Sequence, residues 1–239
     1  MPRPANEQFT ATHWSLVLRA GDVERSRAGA ALAELCSIYW YPLYTFLRRS
    51  GHSPHDAEDL TQGFLSDLIE RSALGSVDPV KGRFRSFLVA SLKNFLSHER
   101  ERARALKRGS GVPLVALDAM AAEERYAAEP AHALSPDRLF DRRWALTVLE
   151  RALERVRADY EGRGAGKTFA LLSPLLTGGG TAPYAELGVQ LGMSEGAVKV
   201  AAHRLRQQYR EALRNEVAET VAGPDQVNDE LQHLISALG

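Results

Sequence analysis

Apolar residues recur every three or four positions through most of this chain, and alternating runs of Val and Ile are nearly absent. The first spacing is that of one face of an α-helix, whereas half-buried β-strands need strict alternation. The pattern therefore predicts an all-α fold. Because 239 residues, 44% of them hydrophobic, are many for one compact helical domain, we expect two small helical domains joined by a flexible linker.

The N-terminal half of the chain predicts four helices. They are a segment that opens at Thr12, residues 26–49, residues 54–71 and residues 81–107. Pro42 lies inside the second pattern, which indicates a bend or two shorter helices because proline removes a backbone donor. Gly51 ends this helix, and Pro54 suits the first position of the next one.

A segment with little periodicity divides the chain. Residues 109–137 are rich in Gly, Pro and acids, a composition typical of a linker. The predicted domains are therefore 1–108 and 138–214, followed by an acidic tail at 215–239. The tail carries five acids and neither Lys nor Arg, and its last part, 229–238, is predicted to be helical. We expect this tail to fold back on a basic DNA-binding face and to moderate DNA binding, with a solvated end as the alternative.

The most informative stretch lies in the second domain, after two predicted helices at 137–160 and 169–176. Residues 183–190 predict a short helix, Gly192 the left-handed residue of a tight turn, and Ser194 the N-cap of a second, longer helix. Two helices joined by so short a turn predict a helix-turn-helix, a motif that binds DNA.

The overall charge says nothing about function, because 30 basic residues balance 30 acids. The local charge is strongly uneven. Residues 54–70 carry five acids and no Lys or Arg, whereas residues 81–108 carry nine basic residues against two acids. Residues 199–214 carry five basic residues against one acid. One basic helix in each domain is the pattern expected of a protein that contacts DNA at two places.

The second helix of the predicted helix-turn-helix has two faces. Its inward apolar stripe consists of Val198, Ala201, Leu205 and Tyr209. Its outward row consists of Lys199, His203, Arg206 and Arg210. Such a row at helical spacing fits the major groove of DNA. A solvated basic face is the alternative, and the turn chemistry that precedes the helix disfavours it.

In the basic helix at 81–107, cations alternate with Phe84, Phe87 and Phe95. Aromatic rings beside cations suit the unstacked bases of single-stranded DNA. The same three rings also fit a buried stripe, and we favour the interpretation that most of them belong to the core.

Three segments, taken in order, resemble one protein family. They are DAEDLTQGF at 56–64, GRFRSFLVASLKNFLSHERERAR at 82–104 and PYAELGVQLGMSEGAVKVAAHRLRQQYREAL at 183–213. These are similar to the core-binding, minus-10 and minus-35 helices of bacterial RNA polymerase sigma factors of the extracytoplasmic-function type. The pattern Y..P.Y.F.RRSG, which begins at Tyr39, also resembles the first long helix of that family. The resemblance covers about 26–213.

The resemblance implies a partner for each segment. Four residues of the acidic helix would bind core RNA polymerase, where acids suit a basic partner: Asp56, Glu58, Asp59 and Gln62. Four residues of the basic helix would contact the melted minus-10 strand of promoter DNA, with one base held out of the stack: Arg85, Lys93, Asn94 and His98. The minus-35 duplex would be contacted by Lys199, His203, Arg206 and Arg210. An anti-sigma factor or another regulatory protein is a further candidate partner.

No catalytic constellation emerges from the sequence, so we expect a protein that is not an enzyme and uses no cofactor or metal. The segment GRGAGKT at 162–168 lacks the first glycine of a phosphate-binding loop, because that position is Glu161, and no strand precedes it. His52 and His55, with Asp56, lack a third cluster of metal ligands and are typical of a solvated helix start.

The single cysteine, Cys36, cannot form an internal disulfide and lies among apolar residues, which indicates a buried thiol in a reducing compartment. No apolar run is long enough to cross a membrane, and the N-terminus lacks the layout of a signal peptide. We therefore expect a cytoplasmic protein that does not associate with membranes.

The main alternative to a sigma factor is a conventional helix-turn-helix regulator that binds operator DNA without polymerase. The acidic helix at 54–70 distinguishes the two hypotheses, because such a regulator needs neither this helix nor a second basic helix one linker away.

Overall fold

In the computed structural model, the described residues are 25–73, 83–105, 119–128, 134–177, 182–221 and 223–239. They form α-helices and two short 3-10 turns, Ser173–Leu175 and Pro224–Gln226, and contain no β-strand, which confirms the all-α prediction for this part of the chain. The predicted helix at Thr12 lies outside the described residues. The α-helices are α1 (Arg25–Arg49), α2 (Pro54–Ala73), α3 (Phe84–Ala105), α4 (Ala119–Ala127), α5 (Pro136–Gly162), α6 (Gly166–Leu172), α7 (Tyr184–Leu191), α8 (Glu195–Ala218) and α9 (Val227–Leu238).

The described residues group into two compact units. The first consists of the described residues up to Leu146 together with Ala218–Gly239, and the second is Thr147–Val217. The first boundary falls inside α5 and the second at the end of α8. Of the acidic tail predicted at 215–239, residues 218–239 belong to the first unit, and the first three residues belong to the second.

Helix α1 continues without a break across Pro42, so the alternative of two shorter helices is wrong. The hydroxyl of Thr45 donates a hydrogen bond to the carbonyl oxygen of Pro42 at 2.9 Å. At the end of α1, Gly51 adopts a φ of 93°, and the amide of His52 donates to the carbonyl oxygen of Leu47. A left-handed glycine with this bond is a Schellman cap, which explains why the helix ends where the sequence predicts.

Helix α2 begins with a side-chain cap. The hydroxyl oxygen of Ser53 accepts a hydrogen bond from the amide of Asp56 at 3.1 Å, which leaves Pro54 at the first helical position, where its missing donor costs nothing. The periodicity of residues 54–71 predicts a buried stripe of Ala57, Leu60, Phe64, Leu65 and Leu68. All of these except Leu60 are buried. Leu60 is only half-buried, and Thr61 beside it is fully buried.

Aromatic contacts join α1, α2 and α3 into the core of the first unit. The ring centroids of Tyr39 and Phe84 lie 5.2 Å apart, and those of Phe64 and Phe95 lie 5.8 Å apart. Cys36 is a free and buried thiol, as predicted. Burial raises the pKa of Cys36 to about 11.

Helix α4 lies within residues 109–137, for which the sequence predicts a linker and no helix. Its Glu123 accepts hydrogen bonds from Arg48 Nη2 at 2.6 Å, from Arg48 Nε at 2.9 Å and from the Tyr44 hydroxyl at 2.6 Å. The Arg48 guanidinium also lies 4.9 Å from the ring centroid of Tyr126. These contacts attach α4 to α1.

The second unit has its own apolar core, formed by α5, α6, α7 and α8. Nine buried residues compose it: Ala152, Val156, Tyr160, Phe169, Leu172, Leu187, Val198, Leu205 and Ala212. A charged cluster joins α5 to α8: Arg151 Nε lies 2.9 Å from Glu216 Oε2, and Arg155 Nη2 lies 2.6 Å from Glu216 Oε1.

Among the helices that the structure describes, none has the length and apolar character needed to cross a membrane.

Candidate nucleic-acid interface

Helices α7 and α8 are joined by a turn whose backbone follows the predicted chemistry. Gly192 has a φ of 66°, in the left-handed region. The amide of Met193 donates to the carbonyl oxygen of Gly188 at 2.9 Å, and the amide of Gly192 donates to that of Val189. This pair of bonds is a Schellman motif. The hydroxyl of Ser194 then accepts the amide of Ala197 at 3.2 Å, which confirms Ser194 as the cap of α8.

The buried stripe of α8 differs by one position from the predicted stripe. Val198 and Leu205 are buried as expected, but Ala202 is buried between them, and Ala201 is only half-buried. Tyr209 is half-buried, and its hydroxyl donates a long hydrogen bond of 3.4 Å to the carbonyl oxygen of Leu149. The inward face of α8 is therefore rotated slightly toward Ala202.

The four residues predicted to face the minus-35 duplex have different surroundings. Lys199 and His203 are exposed, as is Arg210, whereas Arg206 is half-buried. Arg206 Nη2 donates a long hydrogen bond of 3.4 Å to the Tyr184 hydroxyl. Lys199 Nζ lies 2.7 Å from Glu195 Oε1, and this hydrogen bond raises the pKa of Lys199. A partner of Lys199 must therefore replace or share the contact with Glu195.

A second exposed face of α8 lies beside this row and is absent from the site predicted from the sequence. Val200 is 51% exposed, and Arg204 is exposed as well. With Met193 they line a cleft of about 460 Å³ whose far wall includes Arg163 and Tyr160. The spacing of Val200 and Arg204 by four positions was visible in the sequence.

The acidic helix α2 presents its predicted polymerase-binding residues unevenly. Asp56 and Asp59 are exposed, whereas Glu58 and Gln62 are half-buried. Part of the charge is engaged locally, because the Ser53 hydroxyl donates to Asp56 Oδ2 at 2.7 Å. Asp59 faces solvent, with its Oδ2 3.6 Å from His55 Nε2.

On the basic helix α3, the phenylalanines are mainly core residues. Phe84 is fully buried and Phe95 is 8% exposed, which confirms the core interpretation for these two rings. Phe87 is half-buried, with its ring centroid 6.0 Å from that of Phe84.

The polar residues predicted to contact the minus-10 strand divide into two groups. Asn94 and His98 are exposed on α3, and His98 Nδ1 lies 3.8 Å from Glu101 Oε2. Lys93 is exposed but paired, with Nζ 2.7 Å from Asp137 Oδ1. Arg85 is only 7% exposed. Of the four residues, Asn94 and His98 therefore lie at the surface of α3, while Arg85 and Lys93 are both paired with carboxylates.

Arg85 is surrounded by groups from α5 and α9. Its Nε lies 2.7 Å from Glu230 Oε1, and its Nη1 lies 3.0 Å from Asp141 Oδ1. The Arg85 guanidinium also lies 5.5 Å from the ring centroid of Trp144. A contact between Arg85 and DNA stays a prediction, and it requires that these carboxylates release the guanidinium.

Two other features of the sequence remain, the histidines His52 and His55 at the start of α2 and the GRGAGKT segment at 162–168. Among the residues that the structure describes, no group of three His, Cys, Asp or Glu side chains could hold a metal ion. Burial, together with Arg100, lowers the pKa of His52. The GRGAGKT segment joins the end of α5 to α6, with Gly164 at a φ of 71° in the turn.

Comparisons of the chain with protein-family models, with curated proteins and with solved structures find no match.

Proposed function

We propose that this chain is a sigma factor of the extracytoplasmic-function type, which binds core RNA polymerase and directs promoter-specific initiation of transcription. In this proposal the protein has two functional domains. Helices α1 to α3 bind polymerase and the minus-10 element, and α7 and α8 form a helix-turn-helix that reads the minus-35 element.

The observation that carries the DNA-binding part of the proposal is the α7–α8 pair with its cationic outer face, and the acidic face of α2 favours polymerase as the partner. The left-handed Gly192 and the Ser194 cap give a short turn between a short helix and a long one. Lys199, His203 and Arg210 are exposed along the long helix. A capped helix that follows such a turn and carries outward cations is suited to enter a major groove.

The acidic face of α2 supports a polymerase partner rather than DNA alone. Asp56 and Asp59 are exposed on a helix that lacks any Lys or Arg between residues 54 and 70. Acids repel phosphates, so this face suits a basic protein surface. A chain with both an acidic and a basic helix in one unit has the charge distribution that a bridge between polymerase and DNA requires.

The test is co-purification of the full chain with core RNA polymerase, followed by run-off transcription on genomic fragments. We expect a stable complex and transcripts that begin at a small set of sites. A chain that neither binds core polymerase nor supports any specific transcript would contradict the proposal.

The polymerase surface is tested by the charge reversal Asp59→Arg. We expect weaker binding to core polymerase, because the variant opposes a basic partner with a cation. Glu124→Arg is the matched control, since Glu124 is an exposed acid of the same unit that lies on α4. Equal affinity of Asp59→Arg and wild type for polymerase, with the fold intact, would remove α2 from the proposed interface.

A conventional regulator that binds operator DNA without polymerase is the second candidate. The α7–α8 pair serves either function equally well. The regulator hypothesis predicts specific duplex binding without any polymerase complex, so the same co-purification distinguishes the two.

A further inference from the structure

Three carboxylates gather along the basic edge of α3. Asp137 and Asp141 come from the first turns of α5, and Glu230 comes from α9. We call these three residues the acidic clasp. They pair with Lys93 at 2.7 Å, with Arg85 at 3.0 Å and 2.7 Å, and with Arg83 at 3.0 Å.

Glu230 is the centre of the clasp. Its side chain is 0% exposed, and it binds both Arg83 and Arg85. Helix α9 holds this carboxylate in place, because Val227 and Leu234 on the same helix are also buried. In the segment that precedes α9, the carbonyl oxygen of Thr220 accepts a hydrogen bond from the amide of Phe84 at 3.1 Å. The C-terminal segment thus covers the start of α3.

Stability alone does not explain the burial of Glu230 with its two arginines. A buried ion pair recovers little more than the cost of removing both charges from water, and apolar residues of similar size stabilise as well or better. Glu230 instead places an anion against cations that suit a phosphate. A carboxylate and a phosphate compete for the same donors of a guanidinium.

We infer that the acidic clasp occupies the basic edge of α3 in the free chain and competes with DNA for it, an inference that rests on the proposed function. In the clasped state Arg85 is buried, and Lys93 is held by Asp137. When α9 and its Glu230 leave, Arg83 and Arg85 lose their contacts with this carboxylate. Of the clasp, Arg85 then keeps only Asp141, which a phosphate of the single strand must still displace. The C-terminal tail is therefore an intramolecular inhibitor of DNA binding by the first unit.

The direct test compares Glu230→Gln with Asp229→Asn in the full chain. The probe is a fluorescein-labelled, mixed-sequence, single-stranded oligonucleotide, and fluorescence anisotropy at low ionic strength gives its affinity. We expect Glu230→Gln to bind it roughly fivefold or more tightly than wild type, a typical magnitude for coupling between sites. Asp229→Asn removes the same charge from an exposed neighbour on α9 and should bind as wild type does.

The gain must also depend on the two cations that Glu230 binds. In a chain that already carries Arg83→Gln and Arg85→Gln, adding Glu230→Gln should therefore no longer raise the affinity. Equal affinity of wild type and Glu230→Gln, or an increase of the same size in Asp229→Asn, would overturn the clasp.

A measurement on the wild-type chain covers the case in which Glu230→Gln fails to fold. Hydrogen exchange of the α9 amides should become faster when the oligonucleotide is added, because the strand displaces the helix. Unchanged or slower exchange would mean that α9 is a structural element only. Failure of the clasp in either assay, in a chain that still supports promoter-specific transcription, leaves the proposed function intact. The run-off transcription assay tests the proposed function separately.

Discussion

The carbonyl oxygen of Met193 lies 2.6 Å from the position that a Cβ atom on Gly188 would occupy. Gly188 also accepts the hydrogen bond that closes the turn between α7 and α8. The close approach of two backbone segments is therefore possible only without a side chain at position 188.

The first prediction is that Gly188→Ala destabilises the α7–α8 pair. The added methyl group meets backbone that is already fixed by the turn, so the free energy of unfolding should fall by roughly 1 to 3 kcal/mol, the usual cost of overpacking. Urea unfolding followed by circular dichroism measures the change.

Gly196→Ala is the matched control for this prediction. Gly196 lies inside α8, and a Cβ there would meet nothing within 4 Å. This variant should be neutral or more stable by up to about 1 kcal/mol, because alanine favours a helix over glycine. If both alanines change the stability alike, the steric argument at Gly188 is wrong.

The second prediction concerns Glu216, which is 2% exposed and binds Arg151 and Arg155. Glu216→Gln leaves two cations without their shared anion, and we expect a loss of roughly 1 to 3 kcal/mol in the free energy of unfolding. Glu211→Gln changes an exposed acid of the same helix and should have an effect within about 0.5 kcal/mol. Similar unfolding curves for both variants would show that the Glu216 cluster contributes nothing to the free energy of unfolding.

The third prediction is that the contact between α4 and α1 weakens in acid. The hydrogen bond from Arg48 lowers the pKa of Glu123 below its ordinary value of 4.5. A carboxylate with a depressed pKa in the folded state contributes stability above its unfolded pKa, and this contribution is lost as pH falls through the folded value. The stability difference between wild type and Glu123→Gln should therefore be largest at neutral pH and shrink below about pH 4.5.

Urea unfolding at neutral and acidic pH checks this dependence, with Glu124→Gln as the control because Glu124 is the adjacent, exposed acid. A difference between wild type and Glu123→Gln that stays constant across this pH range would contradict the role of the Arg48 contact.

Local signals explain which elements could be predicted from the sequence. The ends of α1, α2 and α7 follow from Gly51, Ser53 and Gly192, whose backbone or side-chain preferences act within a few residues. The long helices also have apolar faces with a clear period. Each of these predictions needs information only from the segment itself.

Contacts between distant segments explain what could not be predicted. Helix α4 has nine residues, too few for a strong period, and Glu123 binds an arginine 75 residues away. The charge pattern of α3 correctly indicates a basic helix. It cannot reveal that Glu230, 145 residues later in the chain, covers Arg85.

The fourth prediction divides the cations of α8 by their place along the helix. Lys199 lies in the second turn, close to the cap, and Arg210 lies three turns farther on, with both side chains exposed. The start of a recognition helix enters the groove most deeply, so Lys199 should contact base edges and Arg210 should contact phosphates. The pairing of Lys199 with Glu195 at 2.7 Å is compatible with this role, because both groups are exposed and the pair is screened by salt.

Substitutions at the two positions should therefore have different effects on DNA binding. Lys199→Ala should cost roughly 1 to 3 kcal/mol on the duplexes defined by run-off transcription and reduce discrimination against scrambled ones, whereas Arg210→Ala should weaken binding to all duplexes alike and reduce the salt slope by about one. Titrations of both variants with matched and scrambled duplexes across a salt series give both quantities. Sequence-independent losses of equal size would mean that α8 presents only a basic surface, because a contact with a base edge cannot be lost without a loss of discrimination.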